Sequence, residues 1–201
     1  MPGELKIVVC GPLECGKSSI CNYLGNLKDI SHSPYKPTQG LRIVETDRSN
    51  IGKDKESVFV ELWDISGDFV KFQECLPAIF EGVNGILFVC EPKNISDLEK
   101  WLKLIKQQLK TQKNCPILMS KGQAQGLRID CLHIFIHHKK VAEGDQLQRM
   151  PLSLSKITQS MSTCEPGAAN TTTKEDFDKF LGRIIDSTKS QEEQAVEALV
   201  E

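Results

Sequence analysis

Eight consecutive residues, Gly11-Pro12-Leu13-Glu14-Cys15-Gly16-Lys17-Ser18, have the GxxxxGK[ST] spacing of a phosphate-binding loop. The glycines let backbone N–H groups turn inward around a β-phosphate. Lys17 supplies a point charge to the β- and γ-phosphates, and the Ser18 hydroxyl is suited to Mg²⁺. An apolar run before the loop, Leu5 to Cys10, reads as a strand, and Ser19-Ile20-Cys21-Asn22-Tyr23-Leu24 after it reads as an amphipathic helix. The start of that helix adds positive potential where an anion would sit. The implied ligand is a nucleoside triphosphate.

Two further patterns fit the same ligand. In Leu62-Trp63-Asp64-Ile65-Ser66-Gly67-Asp68, a strand ends in an Asp followed three residues later by a Gly. Between this and the loop lies Tyr35-Lys36-Pro37-Thr38-Gln39-Gly40. In G proteins such an Asp reaches Mg²⁺ through water, the Gly N–H meets the γ-phosphate, and the Thr binds both metal and γ-phosphate. Each pattern alone is weak, but their order and their flanking strands identify a switch I and a switch II.

With GPxExGKS, PTQGxRI, ELWDxxGD, the Phe72, Cys75, Pro77, Ala78 pattern and His137-His138-Lys139, the chain resembles the Rab/Ras family of small GTPases. Within it, the likeness is to the Rab-like branch that serves as a small subunit of the intraflagellar transport B complex. It runs from about Lys6 to Lys139 and thins to Leu152–Ser155 and the last helix. The resemblance implies an α/β fold: a small-GTPase G domain with a mostly parallel, doubly wound sheet and one antiparallel edge strand. It implies phosphate contacts from Gly11, Glu14, Cys15, Gly16, Lys17, Ser18, Ser19, Tyr35, Thr38 and Gly67, and base contacts from His138 and Lys139. Mg²⁺ would be held by Ser18 and Thr38, with Asp64 acting through water. The cofactors implied are GTP or GDP with Mg²⁺. The partners implied are coiled-coil subunits of the transport complex, in the cytoplasm and in the cilium or flagellum and its base.

Three positions depart from the family pattern. Asp68 stands where active relatives have a water-orienting glutamine, and its carboxylate would repel a γ-phosphate by ~1 kcal/mol at 4 Å in water or ~4 kcal/mol at an effective dielectric of 20. Leu13 replaces a glycine and crowds the attacking water. At His138-Lys139-Lys140-Val141, the Asn and Asp of the guanine motif NKxD become His and Val. Without that Asp, discrimination against adenine is loosened, so ATP competes better than usual. No residue is therefore assigned as catalytic, and the expected role is a nucleotide-dependent binding module with slow hydrolysis. A turnover-competent small GTPase in vesicle or ciliary traffic is the alternative. A kinase would want clustered arginines, and Arg42, Arg48, Arg128, Arg149 and Arg183 are scattered.

The rest of the chain must position these residues. At 201 residues with 39% hydrophobic content, it suffices for one domain, expected over 1–188, with a polar acidic tail over 189–201. A net charge of -2 gives no bias towards nucleic acid or anionic membrane. The eight cysteines include no CxxC pair and read as reduced thiols. Cys15 is read as filling a variable loop position, and a zinc role for His133 has only scattered cysteines behind it. No run approaches the ~20 apolar residues of a membrane helix, and the C-terminus carries no CaaX cysteine. The chain is expected to be monomeric alone and to have no direct membrane anchor.

Strands are predicted at Leu41–Asp47 and Ser57–Trp63 around a turn at Arg48–Asp54, at Gly85–Cys90 as a central strand, at Cys131–His137 and at Ile157–Met161. Phe69–Phe80 is read as broken by Pro77. A helix capped by Ser96 and Glu99 carries Leu98, Trp101, Leu102, Ile105 and Leu109 on one face, and Lys174–Thr188 closes the chain. Asn114–Lys121 also resembles a strand entering a guanine motif. Choosing Cys131–His137 instead leaves a long loop or insertion over about 110–130. Ser160-Met161-Ser162 falls where a base-contacting loop is expected, within a polar stretch continued by Ser162–Thr173.

Overall fold

The computed structural model describes residues 3–27, 35–68, 70–109, 128, 131–137, 161–164 and 171–200. Six strands form one sheet in the order β2-β3-β1-β4-β5-β6: β1 Gly3–Cys10, β2 Leu41–Ile51, β3 Glu56–Ile65, β4 Gly85–Cys90, β5 Leu132–His137 and β6 Met161–Cys164. All neighbours are parallel except β2 and β3, so the single antiparallel strand lies at one edge. Every residue of β4 is buried, as a strand covered on both faces requires. Among the described residues there are four α-helices: α1 Lys17–Leu24, α2 Leu76–Phe80, α3 Leu98–Leu109 and α4 Thr171–Val200. α2 and α3 pack together, while α1 meets α4 through Lys174, whose ammonium lies over the Tyr23 ring and reaches Asn26. Among the described residues no helix is long and apolar enough to cross a membrane.

Several local expectations change. The β2–β3 hairpin is longer than predicted, because Arg48–Ile51 continue β2 and the turn tightens to Gly52–Lys55, with Asn50, Gly52 and Lys55 at positive φ. Pro77 does not break the segment after switch II. It sits in the first turn of α2, where its missing N–H is harmless, behind a 3₁₀ turn at Gln73–Cys75. Ser96 and Glu99 do not form the capping box of α3, since a 3₁₀ segment, Pro92–Asp97, runs directly into it. The box is one step earlier, between Glu91 and Asn94. Of the strand expected at Ile157–Met161, only Met161 is among the described residues, and it opens β6, Met161–Cys164; Met161 and Ser162 thus lie on β6 rather than in a base loop, and Ser162–Thr173 is not loop throughout. Leu132–His137 takes the place beside β4, as the later of the two candidate runs. Asn114–Lys121 and most of 110–130 lie outside the described residues. Within that span Arg128 is buried and donates to Gln191 and Ser187 on α4.

α4 is the largest departure. It runs unbroken for 30 residues, so the expected boundary at 188/189 falls inside a helix. Its Phe180 and Ile184 lie over Gly85 of β4, where a Cβ would come within 2.9 Å and 2.6 Å of their side chains. Its other side holds the hairpin. Arg48 pairs with Asp178 at 2.6 Å, the Lys53 N–H donates to Asp186 at 3.1 Å, and Lys189 reaches Asp54 and Glu56 at 2.6 and 3.0 Å. Gly52 meets Gly182 backbone to backbone, a Cβ on Gly182 falling 3.2 Å from the Gly52 Cα.

His133 is a core residue. It stacks on Phe180, meets Phe135 edge-on and lies 3.3 Å from an Arg183 nitrogen. Burial, with Arg183 adding repulsion, lowers its pKa to about 3. The unfolded value is near 6.5, so protonation favours the unfolded chain. The contribution to stability is whole above about pH 6.5 and is lost as the pH falls towards 3. From pH 7.5 to 5 the urea-unfolding free energy should drop by about 2 kcal/mol on this account. His133→Phe should remove most of that drop; equal slopes in the two proteins would place the acid sensitivity elsewhere.

Candidate functional site

The carboxyl ends of β1, β3, β4 and β5 form one edge, where ligands bind in sheets of this kind. The phosphate loop leaves β1 there and enters α1. Its path needs positive φ at Gly11, Glu14 and Gly16. Gly11 admits no side chain, since a Cβ would lie 1.9 Å from the Val89 carbonyl oxygen at the end of β4. Gly16 caps α1 with no side-chain hydrogen bond, which leaves the first-turn N–H groups facing the loop interior. Lys17 is buried and donates to the Gly11 and Pro12 carbonyls at 3.1 and 2.7 Å, which aims its ammonium across the loop.

Cys15 does more than fill a variable position. Its thiol is buried and donates to the Val89 carbonyl at 3.0 Å, so it ties the loop to β4. Burial pushes this thiol's pKa up, against the pull of Lys17, and burial does the same to Cys10 and Cys21; these are protonated packing residues. Among the described residues no three His, Cys, Asp or Glu side chains are grouped to hold a metal ion, and His133 lies in the core.

Thr38, Ser18 and Asp64 come together across 46 positions of sequence. The Ser18 hydroxyl donates to Asp64 Oδ2 at 2.7 Å and lies 3.0 Å from the Thr38 hydroxyl. Asp64 is completely buried, and its Oδ1 has no hydrogen-bond partner. Burial raises its pKa, opposed by the Ser18 hydroxyl and by Arg42 and Lys17. Two hydroxyls beside a carboxylate oxygen that lacks a donor suit a hydrated hard cation.

Gly67 packs on the phosphate loop so closely that a Cβ would fall 2.7 Å from the Leu13 nitrogen, and only glycine fits. The Asp68 N–H donates to Ser66 Oγ at 3.2 Å, and its carboxylate lies 3.9 Å from Lys71. Leu13, Glu14 and Tyr35 are exposed on the rim, and Ser19 is half-buried in the first turn of α1. His138 and Lys139 lie outside the described residues. Arg42 is the site residue that motif reading missed. It is the direct cross-strand partner of Asp64, and its Nη2 lies 3.2 Å from Asp64 Oδ2 and 3.1 Å from the Ser18 carbonyl. The available signal was that antiparallel pairing: in β2 and β3 it puts both side chains on one face.

The model of the family described as Ras of Complex, Roc, domain of DAPkinase matches residues 6–123. Among curated proteins, the intraflagellar transport protein 22 homolog of Danio rerio is 30% identical, covering 96% of this chain and 98% of its own. Intraflagellar transport protein 22 of Trypanosoma brucei brucei is 29% identical, over 94% of this chain and 90% of its own. Among solved structures, a crystal structure described as T. brucei IFT22/74/81, GTP-bound, is similar with a TM-score of 0.67 and 28% identity, covering 94% of this chain and 98% of that one.

The packing of Gly11 on β4 gives a direct check. Gly11→Ala forces a methyl into the Val89 carbonyl at a backbone position of positive φ, and should lower the urea-unfolding free energy by at least about 2 kcal/mol. Wild-type stability in that variant would mean that β4 and the loop can part freely.

Proposed function

The chain belongs to the family of intraflagellar transport protein 22 homologs, built on a Ras-type G domain, and from that premise we propose that it is a guanine-nucleotide-binding, small-GTPase-like subunit of the intraflagellar transport B complex. The observation that carries this reading is the convergence of Ser18, Thr38 and Asp64, with Thr38 coming from switch I and Asp64 from the strand that enters switch II. The loop N–H groups and Lys17 would bind the phosphates. Ser18 and Thr38, with Asp64 Oδ1 accepting from metal-bound water, would hold Mg²⁺, which would offset the negative charge of the phosphates. Thr38 already lies 3.0 Å from Ser18, so contacts from Thr38 to a bound nucleotide and its metal would hold the Tyr35–Gly40 segment in place and order the surface formed by switch I and switch II.

The partners we infer are the counterparts of the subunits numbered 74 and 81 in the trypanosome complex, engaged through coiled coil, in the cilium or flagellum and its base. Lys17→Ala and Thr38→Ala should each weaken their capture by tenfold or more. Undiminished capture would remove the nucleotide switch from the mechanism.

Hydrolysis is proposed to be slow. The Asp68 carboxylate faces Lys71, only its backbone N–H meets the Ser66 hydroxyl, and its side chain has no amide to orient a water. The single-turnover rate should be at or below the intrinsic Ras range, about 3–5 × 10⁻⁴ s⁻¹. A faster rate would favour a turnover-competent GTPase. In the same preparation ATP should compete with a fluorescent GTP analogue more effectively than it does in relatives with an intact NKxD motif, because Val141 cannot accept from the base; a GTP preference of thousands-fold would refute that loosening.

A further inference from the structure

Arg42 brings a fixed positive charge to the one carboxylate of the site that is completely buried. It opens β2 two residues after Gly40, opposite Asp64 in the register of the β2–β3 ladder. Its Nη2 reaches Asp64 Oδ2 at 3.2 Å and the Ser18 carbonyl at 3.1 Å, and the same Oδ2 accepts from Ser18 at 2.7 Å. The guanidinium therefore bridges three elements: the start of β2, the end of β3 and the first turn of α1. Asp64 Oδ1 is buried and has no hydrogen-bond partner.

We propose that Arg42 is a positioning residue of the nucleotide–metal site, whose guanidinium compensates Asp64 and ties β2 to the phosphate loop, so that nucleotide retention depends only weakly on a divalent cation. The proposal rests on the guanine-nucleotide reading above. When a carboxylate lies beside a polyphosphate, removing the divalent cation leaves like charges facing each other, and the ligand is expelled faster. Here part of that repulsion is cancelled by a side chain that is two-thirds buried and held by backbone pairing. A second consequence concerns switch I. The bridge anchors the chain from Leu41 onward, and Gly40, at φ +73°, is the residue where the preceding segment can turn away. Thr38 can leave Ser18 without β2 moving.

The test uses the full chain loaded with a fluorescent GDP analogue, with release measured in Mg²⁺ and in EDTA. In the wild type, EDTA should accelerate release by less than about tenfold. In Arg42→Ala the acceleration should be about tenfold larger, chiefly through the EDTA rate. Arg42→Lys, which keeps the charge without the fork, should return most of the way. If Arg42→Ala raises both rates by the same factor, or leaves the EDTA effect unchanged, the proposal is wrong.

A nucleotide-free arm judges the same bridge. Arg42→Ala should lower the melting temperature by roughly 3–6 °C, and by less than half as much in an Asp64→Asn background, where there is no charge to compensate. Additive losses would overturn the compensation. Should the wild type retain no guanine nucleotide in either buffer, the functional reading above fails, and the melting cycle still decides the role of Arg42.

Discussion

A fully buried carboxylate fixes the geometry of this molecule. An ionised side chain taken out of water is tolerated only when donors and opposite charge meet it at close range. Asp64 meets both requirements with groups from two other elements, Lys17 and Ser18 in the first turn of α1 and Arg42 at the start of β2. Each partner constrains its own element. The phosphate loop has to enter α1 where Ser18 reaches β3, and β2 has to pair with β3 in the register that puts Arg42 opposite Asp64. The Ser66 N–H bonded to the Gly40 carbonyl at 2.8 Å closes the same ring from the switch II side. Both switches are therefore rooted in one set of contacts.

The far end of the hairpin is fixed independently. The ion pairs of Arg48 and Lys189 with their partners are surface or half-buried, and each is a weak constraint taken alone. The Gly52–Gly182 approach is a different kind of contact, because two backbones in van der Waals range leave no side chain to yield. Sliding the hairpin along α4 would break that contact and the ion pairs together. With the root held by Arg42 and the tip by α4, the described stretches beside the site that lack regular structure are Tyr35–Gly40 before β2 and Ser66–Asp68 after β3.

What could be read from the residues beforehand follows from the range of the forces involved. The loop glycines, Lys17 and Ser18 are dictated by local backbone geometry, and the all-apolar Gly85–Cys90 run by burial on both faces; both signals are contained in a few adjacent residues. The Asp64–Ser18–Thr38 grouping was legible only through the family pattern. The inward thiol of Cys15 and the continuation of α4 were not legible, and the bridge by Arg42 was legible only through the register of the β2–β3 pairing. Each depends on a partner far along the chain: Asp64 for Arg42, Val89 for Cys15, and the hairpin residues Asp54 and Glu56 for Lys189. The misplaced ends of β2, β3 and α4 share this cause. Arg48–Ile51 and the residues from Lys189 onward are polar enough to read as turn and tail; Arg48 finds Asp178 on α4, and Lys189 finds Asp54 and Glu56 beside the hairpin turn.

Binding phosphates and cleaving them place different demands on the same few residues. Retention needs N–H groups, a lysine and a place for a cation, all of which are supported by backbone packing that leaves little freedom. Gly11 and Gly67 are each pressed against neighbouring main chain so tightly that any side chain would collide. Cleavage adds the need for a group that can hold a water in line with the γ-phosphate while leaving room for it. The residue after Gly67 is the natural source of that group, and here it is an acid whose carboxylate faces Lys71 and whose backbone N–H donates to Ser66 Oγ. The residue facing Gly67 across the loop, Leu13, puts an exposed apolar side chain on the rim where water would approach. Close packing at Gly67 and the loss of a water-orienting amide beside it are compatible because retention depends on the backbone of this turn and hydrolysis on its side chains.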